Sequence, residues 1–146
     1  MRIGILALQG AFIEHEKMLI NLGVETQQVR LSQHLTDLDG LIIPGGESTT
    51  IAKLAIDFGL FDDLKTFASA HPVWGTCAGA ILLAKDDQSN PPRLDVMDIH
   101  IVRNAFGRQV DSFQADLLVP SLAHLNGSNP TFPAVFIRTP IINAVG

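Results

Sequence analysis

Residues 72–85 pass from an apolar segment into a helical one across two glycines: Pro72-Val-Trp-Gly-Thr-Cys-Ala-Gly-Ala-Ile-Leu-Leu-Ala-Lys85. Cys77, the only cysteine of the chain, stands at the junction, with Gly75 and Gly79 two residues before and after it. This spacing is typical of a nucleophile elbow, a sharp strand-to-helix turn that tolerates only small neighbours. The turn would expose the sulfur at a helix N-terminus, which favours a thiolate. A buried, inert thiol is the alternative, and the flanking glycines argue against it.

The composition predicts one soluble domain. The chain has 146 residues, enough for a single hydrophobic core. Its net charge of −5, with no Lys/Arg cluster, argues against nucleic acid as a partner. The apolar run at residues 3–8 is too short for a signal peptide or a membrane span, and a single cysteine suits a reducing compartment. We therefore expect a cytoplasmic protein without a membrane partner.

Apolar runs with strand and helix character alternate along the first 85 residues. Strands are predicted at 2–8, 24–31, 40–43 and 72–74, and helices at 11–22, 51–58, 61–70 and 78–85. Candidate N-caps of the helix at 51–58 are Ser48, Thr49 and Thr50. This order predicts an α/β fold, a three-layer sandwich with a mostly parallel central sheet.

The second part of the sequence has a different pattern. After a loop at 86–93, strands are predicted at 94–103, 109–119 and 134–138, with a polar loop at 120–133. No helix is needed between these strands, so we expect antiparallel additions to the sheet. All 146 residues are assigned to one domain.

Three sequence signals follow three of the predicted parallel strands. They are Gln9-Gly10, Pro44-Gly-Gly-Glu-Ser48 and Cys77. Ligands of such folds bind at the carboxyl ends of the strands, where the strand order reverses. The paired glycines 45 and 46 could aim backbone amides at a ligand, whereas their alternative role is a tight turn before a helix.

Five motifs in order along the chain resemble one family of enzymes. They are Leu8-Gln-Gly-Ala11 with Glu14-His15, Pro44-Gly-Gly-Glu-Ser-Thr-Thr50, Gly75-Thr-Cys-Ala-Gly79, Arg103-Asn-Ala-Phe-Gly-Arg-Gln-Val-Asp-Ser-Phe113 and Phe136-Ile-Arg138. Together they resemble the glutaminase subunits of pyridoxal 5'-phosphate synthase, which are class I glutamine amidotransferases. The long string from Arg103 to Phe113 makes this resemblance specific.

The resemblance implies hydrolysis of L-glutamine to glutamate and ammonia through a thioester on Cys77. The backbone amides of Gly46 and Ala78 would stabilise the oxyanion, the second because it follows the nucleophile directly. The same resemblance implies that glutamine is held by six residues: Gly46, Glu47, Ser48, Arg103, Ile137 and Arg138. It implies no cofactor and no metal.

The resemblance also implies a protein partner. In this family the ammonia passes through a channel to a separate synthase subunit, a β/α barrel that makes the vitamin B6 cofactor. The residues around Gln9-Gly10 and the first helix would lie near that subunit.

In this family, a Ser-Phe-His-Pro-Glu type segment supplies the histidine base and the glutamate that orients it. These 146 residues do not contain such a segment, so we expect the C-terminal quarter of the family to be absent. His71 lies at the wrong end of its strand to reach Cys77, and His15 is expected to pack on the apolar face of its helix. We therefore expect strongly reduced glutamine hydrolysis by this chain alone, since no proton donor is assigned.

Two other functions stay open at this point. The chain could be a truncated relative that binds the synthase without catalysis. It could also be another α/β protein with a cysteine elbow, such as a stress-response hydrolase, although that class would not need the string from Arg103 to Phe113.

Overall fold

The structure, a computed structural model, describes residues 1–85, 89–102, 112–120, 124, 131–137 and 140–146. Four strands form a parallel sheet in the order β2-β1-β3-β4: β1 (Arg2–Leu6), β2 (Glu25–Val29), β3 (Gly40–Ile43) and β4 (Val73–Gly75). The predicted parallel α/β fold is therefore confirmed. β1 and β2 are shorter than predicted, because their parallel pairing runs only from Arg2 opposite Glu25 to Leu6 opposite Val29.

The burial of β3 shows how the sheet is covered. All four residues of this strand are buried. Since successive side chains point to opposite faces of a sheet, both faces are covered at this central strand. The burial therefore agrees with the predicted layered arrangement.

Within the described residues, four helices and one 3-10 helix (Ser32–Leu35) accompany the sheet. The helices are α1 (Phe12–Asn21), α2 (Ser48–Asp57), α3 (Phe61–Ala70) and α4 (Ala78–Leu83). The predicted helix at 78–85 ends two residues early, because Ala84 takes an extended conformation with ψ of 167°. Helices α2 and α4 supply much of the core through Ile51, Ala55, Leu82 and Leu83.

The start of α2 corrects one prediction. Ser48, Thr49 and Thr50 were expected as N-caps of a helix beginning near Ile51, but α2 already begins at Ser48. Glu47 occupies the N-cap position in an extended conformation, and its side chain does not cap a backbone amide of the helix. Ser48 is buried and is the first residue of α2, so it does not cap the helix.

Two short strands pair beyond α4. Of the strand predicted at 94–103, the described residues form β5 only at Ile99–Val102, and residue 103 lies outside the described residues. β5 pairs with β8 (Ile141–Val145), a strand that the sequence did not predict. The amide of Gly146, just after β8, donates to the carbonyl oxygen of Asp98, just before β5, at 2.9 Å. The two strands therefore run antiparallel, as expected for this part of the chain.

The chain divides into two compact units, 1–101 with 142–146, and 102–141. In the second unit, β6 (Phe113–Leu118) pairs antiparallel with β7 (Thr131–Phe136). Phe113 stacks on Phe136 with ring centroids 4.6 Å apart. β7 begins at Thr131, inside the predicted loop at 120–133, and residues 109–111 of the predicted strand lie outside the described residues. That the chain forms one domain stays a prediction.

Candidate active site

The carboxyl ends of three neighbouring parallel strands lie side by side. β2 pairs with one edge of β1 and β3 with the other, and β4 follows β3. The strand order therefore reverses at β1, the position where ligands bind in such sheets. The three signals at Gln9-Gly10, at Pro44–Ser48 and at Cys77 follow β1, β3 and β4, as the sequence predicted.

Cys77 lies at a strained turn between β4 and α4. Its φ of 48° and ψ of −103° are unusual for a residue with a side chain. Backbone hydrogen bonds hold both sides of the turn. The amide of Thr76 donates to the carbonyl oxygen of Ile43 at 3.0 Å, and the amide of Ile81 donates to the carbonyl oxygen of Cys77 at 3.1 Å. The thiol is exposed. These features confirm a sharp elbow that presents the sulfur.

The glycines on either side of the elbow are required by close approach of the backbone. A Cβ on Gly75 would lie 2.5 Å from the carbonyl carbon of Gly79. A Cβ on Gly79 would collide with the carbonyl oxygen of Ile43 in β3. Small residues are needed at both positions because α4 starts directly against the strands.

The loop after β3 lies beside Cys77. A Cβ built on Gly45 would lie 3.5 Å from the Cβ of Cys77, an ordinary van der Waals contact. Gly46 is exposed, and Ala78 is buried as the first residue of α4, where its amide has no acceptor within the helix. That these two amides stabilise an oxyanion stays a prediction.

The loops after β1 and β3 are bonded to each other. The amide of Ala11 donates to the carbonyl oxygen of Gly45, and the amide of Glu47 donates to Oε1 of Gln9, both at 2.9 Å. Gly10 has a φ of 99°, and a Cβ there would collide with the oxygen of Gly45. The position of the paired glycines therefore depends on the loop at Gln9-Gly10.

The structure describes some of the predicted glutamine-binding residues but not all of them. Glu47 is exposed and accepts a hydrogen bond from the hydroxyl of Thr50 at 3.3 Å, while the side chain of Ser48 is buried. Ile137 follows β7 in the second unit and is exposed. Arg103 and Arg138 lie outside the described residues. Their roles toward glutamine stay predictions.

His15 makes a contact with the elbow that the sequence did not predict. Its Nε2 lies 3.2 Å from Oγ1 of Thr76, the residue before Cys77. The ring also packs edge-on against Trp74, with centroids 5.8 Å apart. Burial lowers the pKa of His15 below its ordinary value, and the nearby carboxylate of Glu14 partly opposes this shift. The Glu14-His15 pair within the first sequence motif was the only signal of this role.

The histidine before β4 lies where the sequence placed it. His71 comes just before this strand, at the end opposite to Cys77. Its ring stacks on Phe67 with centroids 4.1 Å apart, and its Nδ1 lies 3.2 Å from the carbonyl oxygen of the same residue. His71 is therefore the C-cap residue of α3.

Comparison with known proteins identifies the family. The model of the SNO glutamine amidotransferase family matches residues 5–146. Pyridoxal 5'-phosphate synthase subunit PdxT of Carboxydothermus hydrogenoformans is 56% identical over 144 residues, which cover 97% of this chain and 73% of that protein. The PdxT subunit of Herpetosiphon aurantiacus is 56% identical over 151 residues, covering all of this chain and 77% of the relative. The chain belongs to the SNO glutamine amidotransferase family.

Solved structures agree with this membership. A crystal structure of a glutamine amidotransferase superposes with a TM-score of 0.86 at 46% identity, covering 99% of this chain and 75% of the other. A putative peptidase E from Listeria monocytogenes, 15% identical with a TM-score of 0.56, shares the fold alone. Within the described part of the chain, no helix is long and apolar enough to cross a membrane.

Proposed function

We propose that this chain is the glutaminase subunit of a pyridoxal 5'-phosphate synthase, in which Cys77 is the nucleophile. The observation that carries the proposal is the strained elbow, which exposes the thiol beside the paired glycines and at the ends of three parallel strands. Family membership and two relatives named as synthase subunits at 56% identity support the same assignment.

In the proposed reaction, the sulfur of Cys77 attacks the side-chain amide carbon of L-glutamine. The amide oxygen becomes an oxyanion, which the backbone amides of Gly46 and Ala78 stabilise. The carbon–nitrogen bond then breaks, the nitrogen takes up a proton and leaves as ammonia, and a thioester remains. Water cleaves the thioester to glutamate and restores the thiol. The histidine–glutamate pair of the family would move the protons in both steps.

Substrate recognition follows from the charges of free glutamine. Its carboxylate requires a cation, which Arg103 or Arg138 would supply, and its ammonium requires an acceptor, for which Glu47 is suited. Gly46, Ser48 and Ile137 complete the proposed pocket. The exposed side chain of Glu47, at the N-terminus of α2, is available for this contact.

The proposed partner is the synthase subunit, a β/α barrel that would receive the ammonia, and the proposed location is the cytoplasm. Because the chain covers 73–77% of these relatives, the test compares this chain with a form extended by the C-terminal segment of a relative. Ammonia release is measured for both forms with and without the relative's synthase subunit, with Cys77→Ala as the control.

We expect Cys77-dependent ammonia release from the extended form with the synthase, and strongly reduced release from the 146-residue chain. No release from the extended form, while the relative's own subunit is active in the same assay, would contradict the proposal. Synthase binding without release by either form would instead favour the non-catalytic binding module.

A further inference from the structure

The contact between His15 and Thr76 joins α1 to the elbow. The two residues are 61 positions apart, and Nε2 of His15 lies 3.2 Å from the hydroxyl oxygen of Thr76. Thr76 directly precedes Cys77, whose backbone has a positive φ. A side chain of one element thus binds the residue next to the strained one.

Strained backbone persists only where its surroundings hold it in place. Backbone bonds fix Thr76 to Ile43 on one side of Cys77 and Ile81 to Cys77 on the other. The hydroxyl of Thr76 adds a bond to a different element, α1. This bond restrains Thr76 beside the paired glycines, because Oγ1 of Thr76 would lie 3.8 Å from a Cβ on Gly45.

The imidazole of His15 is itself held in one orientation. Trp74 packs against it at 75° between the ring planes, and the ring is half-buried. Burial lowers its pKa, so that the ring is neutral near pH 7 and one of its nitrogens can accept a hydrogen bond from a hydroxyl. Glu14 is the charged neighbour that acts on the ring from α1, whereas Trp74 and Thr76 are uncharged.

We propose that His15 is a positioning residue, which through the hydroxyl of Thr76 holds the strained backbone at Cys77 and so keeps the thiol presented to solvent. The proposal rests on the proposed function only in taking Cys77 as the nucleophile. Loss of the bond would let the backbone at Cys77 relax toward negative φ and make the thiol less accessible to solvent.

The test measures the rate of alkylation of Cys77 by iodoacetamide in the folded 146-residue chain, together with its thermal unfolding. His15→Phe keeps a ring against Trp74 but loses the bond, whereas His15→Gln returns a polar group to the position of Nε2. Thr76→Val removes the hydroxyl at nearly constant shape, and Thr76→Ser retains it. The double variant His15→Phe/Thr76→Val tests whether both residues act through the same bond.

We expect alkylation to slow about fivefold in His15→Phe and in Thr76→Val, the size expected for one neutral hydrogen bond. The double variant should be no slower than either, and His15→Gln and Thr76→Ser should recover most of the rate. Unchanged alkylation with a lowered unfolding temperature would show a purely structural contact and overturn the proposal. If His15→Phe does not fold, the Thr76→Val and Thr76→Ser pair decides alone.

Iodoacetamide needs neither glutamine nor a synthase, so this result is independent of the proposed function. An unchanged alkylation rate in the variants, combined with glutamine hydrolysis by the extended form, would remove the role of His15 alone. Slowed alkylation, with no hydrolysis by the extended form in the presence of the synthase, would leave that role in place and remove the proposed function.

Discussion

Gly79 of α4 lies against the carbonyl oxygen of Ile43 in β3, so close that no Cβ fits between them. Helix α4 can therefore start directly at the sheet, and Cys77 is lifted onto the turn before it. The same close approach places the helix where Leu82 and Leu83 are fully buried. One contact between neighbouring elements thus shapes both the elbow and the core.

Gly79→Ala should destabilise the fold by about 2 kcal/mol or more, because the added Cβ must push α4 away from β3. Alanine is about 1 kcal/mol better than glycine within a helix, so propensity alone predicts the opposite sign. Urea unfolding measures the change. Gly23→Ala is the control, since Gly23 has a φ of 74° but open space around its Cβ position, and it should lose only about 1 kcal/mol. Equal losses at both sites would show that the contact with Ile43 has no effect.

Cys77→Gly should stabilise the protein relative to Cys77→Ala, by about 1 kcal/mol, because glycine adopts the φ of 48° without strain. At an unstrained position glycine would instead cost about 0.5–1 kcal/mol. Denaturant unfolding of the two variants gives the sign directly. A less stable glycine variant would mean that the elbow carries little strain.

Gln9→Met should weaken the link between the loops after β1 and β3, because methionine keeps the length of the side chain but loses the oxygen that binds the amide of Glu47. Hydrogen exchange at that amide, measured by NMR, should become about fivefold faster, as for the loss of one hydrogen bond. Gln9→Glu keeps an acceptor and serves as the matched control. Equal exchange rates in the two variants would argue against the bond.

The stability of the protein should fall as the pH drops below about 6.5, in part because of His15. Burial lowers the pKa of this residue in the folded state, so the unfolded chain binds more protons in this range. The contribution of neutral His15 to the free energy of unfolding is therefore complete above the ordinary pKa of 6.5. It is lost as the pH falls toward the lower pKa that His15 has in the folded state. Urea midpoints from about pH 5 to 8 should change less with pH in His15→Gln than in the parent chain. The same slope in both proteins would contradict a lowered pKa.

The parallel sheet and the elbow could be predicted from the sequence because their signals are local. Apolar runs, glycines and helix spacing within ten residues predicted β3, α3 and the turn at Cys77, which the structure confirms. The predicted start of α2 was wrong. Glu47 stands at the N-cap position in an extended conformation without a side-chain cap, and no residue type in the sequence indicates such a start.

Contacts between distant residues could not be predicted in this way. β8 exists because Ile141–Val145 finds a partner in β5, some forty residues earlier in the chain. The bond from His15 to Thr76 likewise depends on how α1 lies across the sheet. The sequence predicted that His15 packs on the apolar face of its helix, and it gave no sign that the ring contacts Thr76, the residue before Cys77.

The pairing of β5 with β8 has a consequence for how this chain can vary in length. Because the two strands are antiparallel neighbours, the segment between them, residues 103–140, leaves and rejoins the first unit at adjacent points. The entropic cost of closing such a segment rises only with the logarithm of its length. Insertions or deletions there should therefore be tolerated by the parallel sheet and by the elbow at Cys77, which both lie outside this segment.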